Sequence, residues 1–272
     1  MKFFKMNGAG NSFVIFDARR EKLSLTPERI REIADPVTGA GADQIIAMEP
    51  SIRGDVFMRI WNKDGGEVAA CGNATRCVAS LMMEEQGSDA LTVETAAGRL
   101  AATRNREGRV SVDMGSPLLK WEEIPLSERM DTRGIDLKVG PQDAPYLQLP
   151  GAVNMGNPHC VFFVPDVSKV DVAGIGAMIE HHPLFPQATN VEFVQVNSPR
   201  HMRVRVWERG VGITQACGTG ACASVVAANR RGLVERSCVV QMDGGDLQVH
   251  WREDHDRVIL TGPVELEFEG KM

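Results

Sequence analysis

Two of the six cysteines share one local context. Ala70-Cys71-Gly72 and Ala216-Cys217-Gly218 each lie between a strand-like stretch and a run of small residues that reads as a helix. The first turn of a helix carries free backbone N–H groups and a partial positive charge. A thiol placed there is expected to have a lowered pKa, with thiolate accessible near neutral pH. Glycine at the next position lets the backbone approach a ligand closely, and the same N–H groups can hold a carboxylate. Two such helix starts facing one another could grip one α-carboxylate between two thiols. Inverting an α-carbon requires a proton to leave one face and another to arrive on the opposite face. A thiolate and a thiol on the two sides supply that base and that acid. Preorganised N–H donors in a dry cleft would stabilise the carbanion-like transition state. The pattern implies racemisation or epimerisation of an amino acid without a cofactor.

The other four cysteines, Cys77, Cys160, Cys222 and Cys238, lack this context and read as small buried hydrophobes. The spacings Cys71-x5-Cys77 and Cys217-x4-Cys222 differ from the C-x2-C pairs of common zinc sites, so no metal site is expected. The competing reading is a non-enzymatic thiol switch or metal-binding protein built on Cys71 and Cys217. It differs in predicting no exchange of a substrate α-proton with solvent.

The chain repeats itself. An offset of 146 positions brings Cys71 onto Cys217 and carries other residues with it. Gly10-Asn11 falls on Gly156-Asn157, Phe16 on Phe162, Arg59 and Trp61 on Arg205 and Trp207, and Gly66 on Gly212. Gly98 falls on Gly244 and Pro117 on Pro263, so the register reads as unbroken from Gly10 to Pro117. The chain has only four Trp, and a Trp-x9-Cys-Gly pattern occurs twice. Two long copies imply two similar domains rather than a solenoid. The expected boundaries are 1–117 plus 263–272 for the first domain and 118–262 for the second. A pseudo-twofold relation would bring equivalent residues to face one another, and ligand pockets favour domain interfaces.

Each copy opens on a strand, Ser12 to Phe16 and His159 to Phe163, followed by a helix, Thr26 to Ala34 and Val170 to His181. Strands ending at Trp61 and Trp207 alternate with period two. Small-residue helices follow, about Asn73 to Glu85 and Gly220 to Arg231, with compositions suited to burial on all sides. The fold class is α+β: two pseudosymmetric domains, each a mostly antiparallel sheet or barrel wrapped around a central helix, with the active site in the cleft between them. Residues 118–146 break the repeat and read as a connector with some strand. The alternating tail Val264 to Glu269 is expected to add a strand to the first domain.

Differences between the copies mark further candidates. Glu208 follows Trp207 where the first copy has Asn62, and Asn190 stands where the first copy has Gln44. An asymmetric ligand needs such differences. His159, after Asn157-Pro158, is a candidate for a supporting role beside Cys217, and the Arg209 fork suits a second carboxylate. Asn11 and Asn157 can both donate and accept.

With 272 residues, 43% hydrophobic and 24% charged, the chain has ordinary globular composition. A net charge of -6 lacks the footprint of a nucleic-acid binder, and no Lys/Arg block suits an anionic membrane. The start MKFFKMNGAGNSF has no apolar signal core, and runs such as Cys160 to Val164 are too short to span a bilayer. A soluble cytoplasmic protein with reduced thiols is expected.

At these residues the chain resembles the diaminopimelate epimerases along essentially its whole length. The resemblance rests on Asn7-Gly8-Ala9-Gly10-Asn11-Ser12-Phe13, Gly41-Ala42-Asp43-Gln44, Asn62-Lys63-Asp64-Gly65 and Ala70-Cys71-Gly72-Asn73-Ala74-Thr75-Arg76-Cys77. It continues through Gly156-Asn157-Pro158-His159, Thr189-Asn190-Val191-Glu192-Phe193, Trp207-Glu208-Arg209-Gly210 and Ala216-Cys217-Gly218-Thr219-Gly220-Ala221. Ala74 and Gly66 depart from the commoner Gly and Ser of that pattern. The resemblance implies PLP-independent interconversion of LL- and meso-2,6-diaminopimelate in lysine biosynthesis, in a homodimer. It implies Cys71 and Cys217 as the acid–base pair, and backbone N–H groups at Gly72, Asn73, Gly218 and Thr219 on the reacting carboxylate. It implies Asn11, Gln44, Asn62, Asn157, Asn190, Glu208 and Arg209 on the rest of the substrate, with His159 and Glu208 adjusting thiol acidity. The nearest rival is a racemase of this fold acting on another amino acid. A proline-racemase-like enzyme fits less well, since that family resembles Cys-Gly-His where this chain has Asn73.

Overall fold

In the computed structural model, which describes residues 1–271, the chain divides into two compact units. One comprises Met1–Asp113 and the end of the chain from Thr261; the other is Met114–Leu260. Met272, counted in the first expected domain, lies outside the described residues.

The first unit runs β1 (Lys2–Gly8), β2 (Asn11–Asp17), α1 (Pro27–Ala34), β3 (Gln44–Glu49), β4 (Val56–Asn62), β5 (Glu67–Val68), α2 (Gly72–Gln86), β6 (Ala90–Thr95), β7 (Gly98–Arg104) and β8 (Val110–Asp113). Most neighbours are antiparallel, but β2 and β3, and β4 and β6, pair in parallel. Thr26 caps α1 by accepting from the Arg29 N–H, and Pro27 takes the first helical position. Ile30 and Ile33 then pack with Phe3, Val14, Phe16 and Ile45. Residues Gly72 through Ala79 of α2 are all buried, which their mostly small side chains permit. The helix stops at Gly87, whose φ of 64° is left-handed.

The second unit contains β9 (Lys138–Val139), β10 (Leu147–Gln148), β11 (Gly151–Asn154), β12 (Pro158–Phe163), α3 (Val172–Glu180), β13 (Asn190–Ser198), β14 (His201–Glu208), β15 (Gly212–Thr214), α4 (Gly218–Arg230), β16 (Ser237–Met242) and β17 (Gly245–Trp251). The division between the units falls inside β18 (Val258–Gly262). The last strand, β19 (Glu265–Lys271), pairs antiparallel with β1, as the alternating tail indicates. Residues 118–146 are more than a connector. Ile124, Leu126, Ile135 and Leu137 are buried in the second unit's core beside Phe162 and Phe193.

Sheets dominate both units, and the strand pairing of the first recurs in the second. β12 and β13 are parallel like β2 and β3, and β14 and β16 are parallel like β4 and β6. Phe13 pairs with Gln44 and His159 with Asn190; Ile45 pairs with Trp61 and Val191 with Trp207. All of these keep the 146-residue offset. Beyond the buried helices the offset changes, against the unbroken register read from sequence. The next hairpins close at Thr95 with Gly98 and at Met242 with Gly245, one residue further on. Gly98 and Gly245 share φ values of 135° and 137°, so Gly245, not Gly244, is the counterpart of Gly98. The cause is that α4 has 13 residues against 15 in α2, with a longer link to the following strand. No described helix is long and apolar enough to cross a membrane.

Gly176 sets the approach of α3 to β14. A Cβ there would stand 2.5 Å from Cβ and Cγ of Trp207. Gly176→Ala is therefore overpacked and should destabilise the protein by about 1–3 kcal/mol. Urea denaturation would show this as a lower midpoint with an unchanged slope; a wild-type midpoint would mean that the contact yields freely.

Candidate active site

Both buried helices begin at the cysteines. Cys71 and Cys217 are the N-caps of α2 and α4, in extended backbone conformations, and sulfur takes the place usually held by a side-chain oxygen. The Ala74 N–H lies 3.5 Å from Cys71 Sγ and the Gly220 N–H 3.3 Å from Cys217 Sγ. Helix geometry gives the preceding N–H groups, those of Gly72 and Asn73 and of Gly218 and Thr219, no partner within the helix. Cys71 is half-buried; Cys217 is buried.

In the first unit the expected residues gather at one end of three adjacent strands. Asn11 opens β2, Gln44 opens β3 and Asn62 closes β4, with Gln44 directly paired to Asn62. Gln44 Nε2 donates to Asn62 Oδ1 at 2.9 Å. Gln44 Oε1 is buried and accepts no hydrogen bond among the described residues. Such an acceptor suits a cationic ligand group, because leaving it unmet costs about 1–3 kcal/mol. Asn73 Nδ2 donates to Asn11 Oδ1 at 2.5 Å, and the fully buried Arg76 donates from Nη1 to Asn73 Oδ1 at 2.9 Å.

The second unit builds a more acidic surrounding on the same frame. The Thr214 hydroxyl donates to Glu208 Oε1 across the hairpin of β14 and β15. The Thr219 hydroxyl lies 3.4 Å from Cys217 Sγ. His159 is completely buried, with Nδ1 2.7 Å from Glu192 Oε1 and Nε2 2.9 Å from Asn157 Oδ1. These contacts tie Glu192, His159 and Asn157 into one buried hydrogen-bonded chain. The turn after β14 is pinned by Glu180, which accepts from Trp207 Nε1 at 2.7 Å and from the Gly210 N–H at 2.8 Å. Asn190 accepts from the Arg209 N–H at 3.0 Å and donates to the Pro158 carbonyl at 2.9 Å. Its amide thus ties the start of β13 to the Arg209 turn. The Arg209 guanidinium donates to the Gln187 carbonyl at 2.9 Å.

The electrostatics correct one expectation. Burial pushes the Cys217 thiol well up, and the carboxylates of Glu208 and Glu192 push the same way. The Thr219 hydroxyl and the Gly220 N–H pull down but are outweighed. The helix start therefore does not lower this thiol's pKa overall, and Cys217 holds its proton. Glu208 is itself pushed up, first by burial, while Thr214 and His159 oppose the rise. Burial also drives Cys77 up to about 12 and Cys160 well up, consistent with inert core thiols.

Glu192, Glu180, Thr214 and Arg76 received no role from the sequence. For Glu192 a signal was present: a lone acid inside Val191-Glu192-Phe193-Val194 is a buried polar group in a core strand, which needs a reason. Its counterpart in the first unit is Ile46, and that of His159 is Phe13.

Known proteins bear on this arrangement. The family model described as diaminopimelate epimerase matches residues 3–120 and 151–267. The chain is 53% identical over 270 residues to the diaminopimelate epimerase of Phenylobacterium zucineum, covering 99% of this chain and 97% of that one. It is 49% identical over 278 residues to that of Caulobacter vibrioides, covering 99% and 96%. Among solved structures, a hydroxyproline epimerase from Agrobacterium vitis with bound trans-4-hydroxy-L-proline superposes with a TM-score of 0.70 at 14% identity, over 99% of this chain and 91% of that one. A Bacillus anthracis phenazine biosynthesis protein of the PhzF family gives 0.68 at 17% identity, over 99% and 98%. These two likenesses concern the fold alone.

The influence of Glu208 on Cys217 has a defined sign. Its negative charge raises the thiol's pKa, so Glu208→Gln should lower that pKa and increase the thiolate fraction at any given pH. In a Cys71→Ser background, the ultraviolet absorbance of the Cys217 thiolate should titrate at lower pH in Glu208→Gln than with Glu208 intact. An unmoved or higher titration midpoint would contradict this electrostatic account.

Proposed function

The chain belongs to the diaminopimelate epimerase family, and from this premise we propose that Cys71 and Cys217 are the acid–base pair that inverts the substrate's α-carbon. The enzyme is an epimerase that interconverts LL- and meso-2,6-diaminopimelate, a step of lysine biosynthesis. The observation that carries the acid–base assignment is the duplicated helix start. Only these two cysteines cap a buried helix with sulfur, and they do so at equivalent positions of two copies of one topology.

Cys217, held protonated by burial and by Glu208 and Glu192, is the acid when Cys71 acts as base. After one turnover the protons have changed places, so the reverse reaction starts from the opposite state. The two protonation states belong to the pair, and their titrations are coupled. The N–H groups of Gly72, Asn73, Gly218 and Thr219 take the reacting carboxylate, and their charge stabilisation grows as the α-carbon becomes carbanion-like. Asn11, Gln44, Asn62, Asn157, Asn190, Glu208 and Arg209 bind the remainder. The unpaired Gln44 oxygen supports a contact with a substrate ammonium, and the Arg209 fork suits the distal carboxylate. Asn190 acts largely by fixing the Arg209 backbone. His159 and Glu208 adjust thiol acidity, and Glu192 joins them through its contact with His159. The reaction needs no PLP in this scheme, because the N–H donors replace its electron sink.

The same reading makes the enzyme cytoplasmic and homodimeric. Leu266 and Phe268, both about half-exposed on β19, support an apolar contact with a second copy.

Cys71→Ser and Cys217→Ser should each lower kcat on LL-diaminopimelate by about 10²–10⁴-fold, the usual contribution of one general acid or base. An epimerisation assay on purified, fully reduced variants reads this directly. Wild-type turnover in either variant would remove that cysteine from the chemistry.

A further inference from the structure

Arg76 is one of the largest completely buried side chains of the protein, and it lies on the first turns of α2. A buried guanidinium is unusual and needs a reason. Its counterpart at the 146-residue offset is Cys222, so the second unit has no such group there.

The hydrogen bonds around Arg76 have a fixed direction. A guanidinium has donors and no acceptor. Asn73 must therefore turn Oδ1 toward it, which the 2.9 Å contact from Nη1 satisfies. That orientation aims Asn73 Nδ2 at Asn11, whose Oδ1 accepts at 2.5 Å. An isolated asparagine amide can flip and present either end to a ligand. Here the chain from Arg76 through Asn73 leaves one orientation for Asn11: the oxygen faces inward and the N–H pair faces away. In the second unit the equivalent amide, Asn157, lies 2.9 Å from His159 Nε2 and so is held by a buried ring instead. The amide at this position is thus anchored by a different buried side chain in each unit.

We propose that Arg76 is a positioning residue that sets the hydrogen-bonding sense of Asn11, turning its amide N–H pair toward a carboxylate oxygen of the substrate. This rests on the reading that Asn11 touches substrate. Without Arg76, Asn73 is free to flip, Asn11 flips with it, and a carbonyl oxygen then meets a carboxylate. Binding then suffers more than the chemical step.

The test is a kcat and KM comparison on LL-diaminopimelate for Arg76→Met, Arg76→Lys, Asn11→Ala and the Arg76→Met/Asn11→Ala pair. Losing a hydrogen bond to a charged group should raise KM about 10-fold or more in Arg76→Met, with a much smaller change in kcat. Arg76→Lys keeps a donor-only cation and should recover most of the loss. Arg76→Met should add nothing in the Asn11→Ala background, because both changes break one chain. If Asn11→Ala leaves KM unchanged, the placement of Asn11 on substrate fails and takes this proposal with it. If Asn11→Ala raises KM but Arg76→Met does not, the relay alone is wrong. Equal damage in Arg76→Lys, or independent effects in the pair, would also overturn it. Should Arg76→Met fail to fold, Arg76→Met/Asn73→Leu removes the buried charge together with its acceptor, a replacement that buried ion sites commonly tolerate. The same rise in KM is expected, and a wild-type KM there would refute the relay.

Discussion

A helix that starts on a reactive thiol must meet two opposed demands. Its body has to be buried, so that its axis and first turn are held still. Its first N–H groups have to stay open, because burying them without partners would cost more than the helix gains. Both units meet these demands in the same way. α2 and α4 are lined with alanine, cysteine, valine and other small residues and are buried over most of their length, with Cys71 half-buried and Cys217 buried at their starts. The strands β2, β3 and β4, and their counterparts β12, β13 and β14, bring polar residues to the helix start because their ends converge there.

On that common frame the two units diverge in the side chains buried beside the second helix start. Phe13 and Ile46 occupy core positions that His159 and Glu192 occupy in the second unit, and all four are completely buried. A buried His–Glu hydrogen bond must offset the desolvation of both side chains, a cost that apolar side chains of similar volume avoid. The Glu192 carboxylate adds to Glu208 in pushing the Cys217 thiol up. In the proposed scheme these surroundings make Cys217 the acid, although the two cysteines cap their helices alike.

Much of this was legible in the sequence, and the limits have physical causes. The Cys-Gly helix starts, the repeat, the caps of α1 and the tail strand follow from local pattern, which sequence carries directly. The one-residue shift after the helices was hidden because Gly244 and Gly245 are adjacent and either satisfies the alignment; only the backbone conformation distinguishes them. The raised Cys217 was missed because a helix start taken alone lowers a thiol's pKa. The opposing burial and the two carboxylates come from β13 and β14, and their approach is a property of packing. Glu180 and Arg76 were missed for a related reason. Each acts through another residue, and the sequence shows neither the contact of Glu180 with Trp207 nor that of Arg76 with Asn73.

The central claim is that two monoprotic thiols work on opposite faces of one carbon. Its most direct test is the epimerisation of LL-diaminopimelate in deuterated water, stopped after a small fraction of conversion. The account predicts deuterium at the inverted α-carbon of the meso product, delivered by the acid, while recovered LL substrate keeps its original proton, because the base holds it. Equal early labelling of substrate and product would mean that a single solvent-exchanging base serves both faces, and the two-thiol account would be wrong.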